Sequence, residues 1–252
     1  MRAVGISRPA GTPAVRTAVV WDVLRAVLAD RVSVTGRDRL DIVDAGGGTG
    51  GFAVPLAVLG HAVTVVDPSP DSLAALERRA AEAGVTVRAL QGDAADLGKL
   101  LPVDGADLVL CHSVLEYVED PTSALTAMAG LLRAGGAISV LAANPLAAAL
   151  HRSIAGRFDE ALQVLDDPEG RWGDRDPTPR RFTREALSRL LAATGFQPGE
   201  AHGVRIFADL VPSRLVDGEP GAARALVALE QAAADHPVLR DIATQLHILG
   251  RR

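Results

Sequence analysis

The sequence predicts an α/β fold built on a doubly wound sheet, and three observations carry that reading. Short apolar β-rich runs alternate with segments of helical periodicity from residue 40 to residue 141. A glycine cluster, Gly46, Gly47, Gly48 and Gly50, directly follows the first of these runs. An acidic residue, Asp67, closes the second run, 21 positions after Gly46.

Residues 1–13, with Gly5, Pro9, Gly11 and Pro13, read as a loose arm. From Ala14 to Leu28 the apolar positions Val15, Val19, Val20, Val23, Leu24, Val27 and Leu28 recur at helical spacing, with Arg16 in the first turn. Leu40–Val43 is the first strand, ending at Asp44. Phe52–Leu59 is the first crossover helix, stopped by Gly60. Ala62–Val66 is the second strand. Pro68-Ser69-Pro70 opens a helix over Asp71–Ala83 that ends at Gly84. Val85–Leu90 is a third strand leading to Gly92, Asp93 and Asp96, and Asp107–Cys111 is a fourth. Asp120-Pro121 starts a helix to Arg133; Gly135-Gly136 is a turn, and Ala137–Leu141 a fifth strand.

After Asn144 the rhythm loosens. Residues 144–182 hold a short helix and then the polar stretch Asp166–Arg181, an insertion suited to a lid or substrate segment. Thr183–Thr194 is helical, Phe196–Phe207 extended, Ala222–Ala234 helical, and Gln245–Gly250 a final strand. The whole reads as a single domain: an arm and helix over 1–39, a cofactor-binding core over 40–143, the cap or substrate insertion over 144–182, and a completion of the sheet over 183–252.

Composition removes several functions. In 252 residues, 48% hydrophobic and 23% charged, there is no fibrous or disordered signature. No apolar run approaches membrane-spanning length and no secretory leader is evident, which points to a soluble cytoplasmic protein without a membrane partner. The lone Cys111 excludes an internal disulfide and a thiolate metal cluster; it reads as a packed residue, and no metal is expected. A net charge of −5 gives no global attraction to nucleic acid, so such binding needs a local basic patch.

The glycine loop allows a ligand to lie against the backbone. Its spacing satisfies both Asp44-x-Gly46-x-Gly48-x-Gly50 and Gly46-x-Gly48-x-x-Gly51, the dinucleotide fingerprint, so the loop alone does not choose between a nicotinamide and another nucleoside cofactor. Asp67 is placed to accept hydrogen bonds from a ribose diol or, alternatively, to cap the helix after Pro68. The arginines 171, 175, 180, 181, 184 and 189 offer an RNA-phosphate patch, but Asp166, Asp167, Asp174 and Asp176 interleave with the first of them and favour a solvated, internally paired loop.

Taken together, Asp44-Ala-Gly-Gly-Gly-Thr-Gly50, Asp67, Gly92-Asp93-Ala-Ala-Asp96, His112-Ser-Val-Leu-Glu-Tyr117 and Leu132-Arg-Ala-Gly-Gly136 resemble, in order and spacing, the class I S-adenosylmethionine-dependent methyltransferases. The chain also resembles the bacterial tRNA 5-carboxymethoxyuridine methyltransferase group. That likeness rests on Arg16-Thr-Ala-Val-Val-Trp21, His112 to Pro121, His151 to Asp159 and Gly203-Val-Arg-Ile-Phe-Ala-Asp209. It departs from that group in having Tyr117 where tryptophan is expected, and in the stretch 166–181, which does not align.

The resemblance implies a Rossmann-like doubly wound sheet with an inserted cap and S-adenosylmethionine as cofactor. Gly46 and Gly48 would approach its methionine portion, Asp44 its ammonium and Asp67 its ribose. Asp93, in preference to Asp96, would meet the adenine amino group with Ala94 beside it. Arg16 would pair the cofactor carboxylate, and His112 would flank the sulfonium or serve as a core histidine. For the acceptor the resemblance implies a carboxylate on a tRNA wobble nucleotide, positioned by Tyr117, Arg152, Arg157 and Arg205; Glu116 and Tyr117 otherwise read as packing and surface. No catalytic base is expected. The alternatives are the same transfer to a small-molecule metabolite, a nicotinamide-dependent oxidoreductase, and a cofactor-binding protein without catalysis.

Overall fold

The computed structural model describes residues 12–167 and 176–252. The expected arm therefore lies almost wholly outside the described residues, as do Arg171, Asp174 and Arg175. The first helix, α1 (Thr12–Thr35), runs a further two turns beyond Leu28. Its buried stripe, Val19, Val20, Leu24, Val27 and Leu28, covers one face of the sheet, so tertiary packing carries the helix past the end of the apolar pattern.

The core follows in the expected alternation. It comprises β1 (Asp41–Ala45), α2 (Ala53–Val58), β2 (Ala62–Asp67), α3 (Pro70–Glu82), β3 (Arg88–Gln91), α4 (Leu97–Leu100), β4 (Ala106–His112), α5 (Pro121–Leu131) and β5 (Leu132–Ala143). Capping explains the helix starts: Ser69 and Asp120 accept N–H bonds in the first turns of α3 and α5, each with proline at the opening position.

Two expectations need correction. The third strand is confined to Arg88–Gln91: its ladder with β2 begins at Thr64↔Arg88, and the Val85 N–H is turned back onto the Ala80 carbonyl of α3 at 3.0 Å. Arg133–Gly136 is not a chain reversal either. The pairing of β5 with β4 jumps from Ala106↔Leu132 to Leu108↔Ala137, so these residues bulge out of one strand, with Gly135 at φ +70°.

The insertion folds as two helices, α6 (Pro145–Ile154) and α7 (Phe158–Asp166). The remainder is α8 (Arg184–Ala193), β6 (Gln197–Val204), α9 (Ser213–Asp217), α10 (Ala222–Ala233) and β7 (Gln245–Arg251). Seven strands pair in the order β3-β2-β1-β4-β5-β7-β6. The first five are parallel, as the helical crossovers require; β7 is antiparallel to both β5 and β6. Apolar layers bury both faces of the sheet. One is built with α1, α2 and α3 and centres on Leu24, Ile42 and Val65; the other is built with α4, α5 and α8 and centres on Val109, Met128 and Leu187.

Candidate functional site

The strand order reverses between β1 and β4, which opens a crevice at the carboxyl ends of the strands, where ligands of such sheets bind. The glycine loop, Asp67, the residues after β3 and His112 all reach this edge. A cavity of about 330 Å³ lined by Arg39, Asp41, Thr64 and Arg88 opens instead at the amino-terminal edge, away from these groups.

Gly46 and Gly48 take positive φ, +70° and +51°. A Cβ on Gly46 would overlap Val114, whereas one on Gly48 would approach only Asp67 Oδ2, at 3.8 Å, so the loop is open above Gly48. The structure also separates the two glycine spacings. Gly50 is at φ +78° with its Cα packed on Leu76, while Gly51 has negative φ and open space around it. Only the Asp44-x-Gly46-x-Gly48-x-Gly50 pattern is therefore demanded by the backbone.

Asp67 locks this loop. Its Oδ2 accepts the Gly48 N–H at 2.8 Å and its Oδ1 the Ser69 N–H at 2.9 Å, so the carboxylate is rigid and turned over the glycines. The helix cap of α3 is Ser69 rather than Asp67. Asp44 is buried below the loop; burial, reinforced by the nearby Asp67 charge, pushes its carboxyl up to about 7. A pair of carboxylates that repel each other in a partly dry crevice is suited to a cationic ligand.

Asp93 stands two residues beyond β3, and the Gly92 N–H donates to the Asp67 carbonyl at 3.2 Å, tying the two acids to one edge. Asp93 Oδ1 caps the turn over Ala94–Asp96, with Ala94 buried beneath it. Asp96 is engaged by Lys99 at 2.7 Å. His112 ends β4 with its ring edge-on to Phe52, 4.6 Å between centroids, next to the glycine loop.

Sequence reasoning did not find what holds His112. Ser139 Oγ lies 2.8 Å from its Nε2 and 2.7 Å from Nε2 of His247, which is stacked against His202 on the neighbouring strand. The serine hydroxyl has one proton and two lone pairs, so at most one of the two imidazoles accepts from it and at least one donates to it. Burial drives the His112 imidazolium down to about 3 and that of His247 well below its ordinary range, so both rings are neutral at physiological pH. A neutral His112 places no positive charge beside a cationic ligand. Serine at 139 and histidine at 247 carry no local motif, and only the sheet order brings them together.

The residues expected to hold an acceptor separate into two groups. Arg205, at the end of β6, takes φ +63°, a conformation costing about 1–3 kcal/mol for a non-glycine residue. Its guanidinium pairs with Asp209 at 2.6 Å and donates to Gln245 Oε1 at 3.4 Å; Gln245 in turn donates to Ser113 Oγ at 2.9 Å, one residue from His112. Arg16 shares Asp209 at 3.2 Å. The expected cofactor arginine and the expected acceptor arginine thus meet at one carboxylate.

Arg152 and Arg157 lie apart, in the insertion. Both pair with Glu160, and Arg152 also bonds Asp176, which Arg181 holds through both oxygens at 2.8 and 2.9 Å. Arg180 donates to the carbonyls of Leu115 and Val118. Among the described residues, then, these arginines serve the internally paired arrangement. Tyr117 is exposed, while Glu116 is buried rather than a surface residue: one oxygen accepts the Ala143 N–H at 2.7 Å and the other has no hydrogen-bond partner. Burial raises its carboxyl above the usual carboxylate range. Cys111 is fully buried, which pushes its thiol far up and leaves it inert. Among the described residues there is no group of ligands for a metal ion, and no helix long and apolar enough to cross a membrane.

Residues 43–140 match the family model described as a methyltransferase domain. The chain is 33% identical over 196 residues to the tRNA 5-carboxymethoxyuridine methyltransferase of Escherichia coli K12, covering 77% of this chain and 72% of that one. It is also 33% identical over 184 residues to the ubiquinone biosynthesis O-methyltransferase of Methylocella silvestris, covering 69% and 65%. In fold it is similar to an S-adenosylmethionine-dependent methyltransferase of Mesorhizobium loti, with a TM-score of 0.59, 23% identity, and coverage of 94% of this chain and all of that one. The reversed strand order, the glycine loop latched by Asp67 and these likenesses agree: the chain belongs to the class I S-adenosylmethionine-dependent methyltransferases.

Proposed function

We propose that this methyltransferase esterifies a carboxylate, that of a carboxymethoxyuridine-type wobble nucleotide in tRNA, and that it works in the cytoplasm where that acceptor is found. The observation that carries the reading is the Arg205–Asp209–Arg16 cluster, joined through Gln245 and Ser113 to His112 at the cofactor edge. The side chains of Arg16 and Arg205 remain 48% and 26% exposed beside Asp209, unlike the more enclosed Arg152 and Arg181, and arginine forks reachable in this way suit a planar anion. The tRNA-modifying relative from Escherichia coli supports the same acceptor.

The cofactor roles follow from the open loop and the acids around it. Asp67 would receive the ribose hydroxyls through the outer lone pairs of oxygens already fixed by Gly48 and Ser69, and Asp44 would neutralise the ammonium. Asp93, with Ala94, would meet the adenine, and Gly46 and Gly48 would pass closest to the methionine portion. Bound S-adenosylmethionine supplies an activated methyl electrophile. The chain's task is then to orient the acceptor and exclude water. A carboxylate is ionised at neutral pH, so no side chain has to remove a proton, in keeping with the neutral, hydrogen-bonded His112. In this reading the insertion, with its helices α6 and α7, would serve as the cap of a single domain, and Arg152 and Arg157 from it, together with Tyr117 after β4, would face the acceptor's entrance.

Asp44 gives the cofactor step a pH dependence. With its carboxyl raised to about 7 in the free protein, a bound ammonium lowers it and expels a proton. Cofactor affinity should therefore fall as pH drops below about 7, approaching tenfold per pH unit. Calorimetry in buffers of different ionisation enthalpy should register close to one proton released near pH 6. An Asp44→Asn variant should bind weakly with no such release, and an unchanged proton count in it would remove Asp44 from this role.

A second reading, methylation of a small carboxylic or hydroxylic metabolite, is favoured by the internal pairing of Arg152 and Arg181 on Asp176, which leaves those side chains poorly disposed toward phosphates. The ubiquinone-pathway relative points the same way. Incubation with methyl-labelled cofactor and separated tRNA and small-molecule fractions decides between them. Alkali-labile label in tRNA supports the ester; label only in small molecules overturns the tRNA assignment. In either case Arg205→Ala should raise the acceptor KM roughly 10- to 100-fold, the worth of a charge-assisted pair, while cofactor binding holds. Loss of cofactor affinity instead would place Arg205 at the wrong ligand.

A further inference from the structure

Arg205 is held in a left-handed conformation that arginine does not favour, and nothing in its own side-chain contacts explains how the turn is sustained. The explanation lies on α10. Glu230 is completely buried, and its carboxylate accepts three successive backbone N–H groups: Ile206 at 2.9 Å on Oε2, and Phe207 at 2.8 Å and Ala208 at 2.7 Å on Oε1. A positive-φ residue followed by converging N–H groups is a backbone concavity that binds anions, and here the protein fills it with its own carboxylate. The three N–H groups belong to the residues linking Arg205 to Asp209, so the plug fixes both ends of the ion pair at once. Phe207 and Val211 pack beside Val216 and Leu226 in a small apolar cluster that seats the same turn.

We propose that Glu230 is the positioning residue of the acceptor site, acting through the 206–208 backbone to aim Arg205 and Asp209. The proposal rests on the reading of Arg205 as the acceptor's partner. The Arg205 Nε is buried without a hydrogen-bond partner, so its N–H is screened from water as long as the turn holds.

Glu230→Gln tests this. The amide keeps the shape but turns an NH₂ group toward backbone donors, so at least one N–H loses its acceptor. With carboxymethoxyuridine-bearing tRNA as acceptor, the variant should raise KM about tenfold with kcat within about twofold and cofactor affinity unchanged. In an Arg205→Ala background the same substitution should add nothing further to KM. Two-dimensional ¹H–¹⁵N spectra provide the independent readout: the slowly exchanging Arg205 Nε–H resonance of the wild type should broaden or exchange rapidly in Glu230→Gln. If that resonance is unaltered, or the two substitutions act additively on KM, the positioning role is overturned. If the resonance is lost while Arg205→Ala leaves acceptor KM untouched, Glu230 does position Arg205 and the acceptor reading is what fails. Should Glu230→Gln not fold, amide exchange on the wild type still decides, since the plug requires strong protection at Ile206, Phe207 and Ala208 together; rapid exchange at these three would overturn it.

Discussion

Asp67→Ala should abolish measurable binding of S-adenosylmethionine while leaving a folded protein. Each oxygen of Asp67 already accepts one backbone N–H, from Gly48 and from Ser69, and each keeps a lone pair for a ribose hydroxyl. Two hydrogen bonds to a charged acceptor are together worth about 3–6 kcal/mol, or a 10²- to 10⁴-fold rise in Kd. The loop suffers as well, because Gly48 loses the contact that holds its N–H. That loss should lower stability by about 1–2 kcal/mol, too little to unfold a domain of ordinary stability. Equilibrium dialysis or calorimetry with the cofactor, paired with a thermal melt, separates the two effects. A Kd within threefold of wild type would mean that Asp67 is only the latch of the glycine loop.

The site's two halves differed in how far the residues alone disclosed them, and the reason is physical. The cofactor edge is built from strand ends and the turns that follow them, so its members lie at fixed spacings after recognisable apolar runs. Asp44, the glycines, Asp67, Asp93 and His112 could be placed at one edge from the alternation of strands and helices, and all of them reach it. The side proposed for the acceptor depends on pairing between distant elements. His247 joins Ser139 and His112 only because β7 lies antiparallel beside β5, and Glu230 reaches 206–208 only because α10 packs against that turn. Neither residue has a local pattern to mark it. The arginines of 152–181 show the opposite difficulty. Composition offered a phosphate patch from 171 to 189 while the interleaved aspartates favoured internal pairing, and the geometry supplies the partners: Asp176 gathers Arg181 together with Arg152, the arginine expected at the acceptor.

The amino-terminal edge of the sheet carries a second conspicuous charge, and its removal should cost stability rather than activity. Asp107, at the start of β4, has a fully buried side chain that accepts the Asp41 N–H at 2.9 Å, Arg133 at 2.9 Å and Arg31 at 3.2 Å, and also pairs with Arg37. It thereby ties the end of α1, the start of β1 and the bulge of β5 to one point. Burial by itself would push its carboxyl up, but the Asp41 N–H, Arg37 and Arg31 outweigh burial and hold it below its ordinary value. Asp107→Ala leaves the Asp41 N–H without its acceptor and Arg31, only 13% exposed, without its carboxylate. Losing one partner of a buried ionic cluster costs about 3–5 kcal/mol. For a chain of this size that is a fall in Tm of about 6–20 °C. Because the depressed carboxyl belongs to the folded state, its stabilisation is complete above the unfolded value near pH 4 and is lost as pH falls through the lower folded value. Wild type should therefore lose stability steeply below about pH 4, and Asp107→Ala, already deprived of that term, should lose less over the same interval. Cofactor affinity should be the same in both, since the cluster and the glycine loop stand at opposite ends of β1. Urea melts from pH 7 to pH 3 test the claim, and parallel loss of stability in the two proteins would show that Asp107 is not the group whose protonation opens this edge.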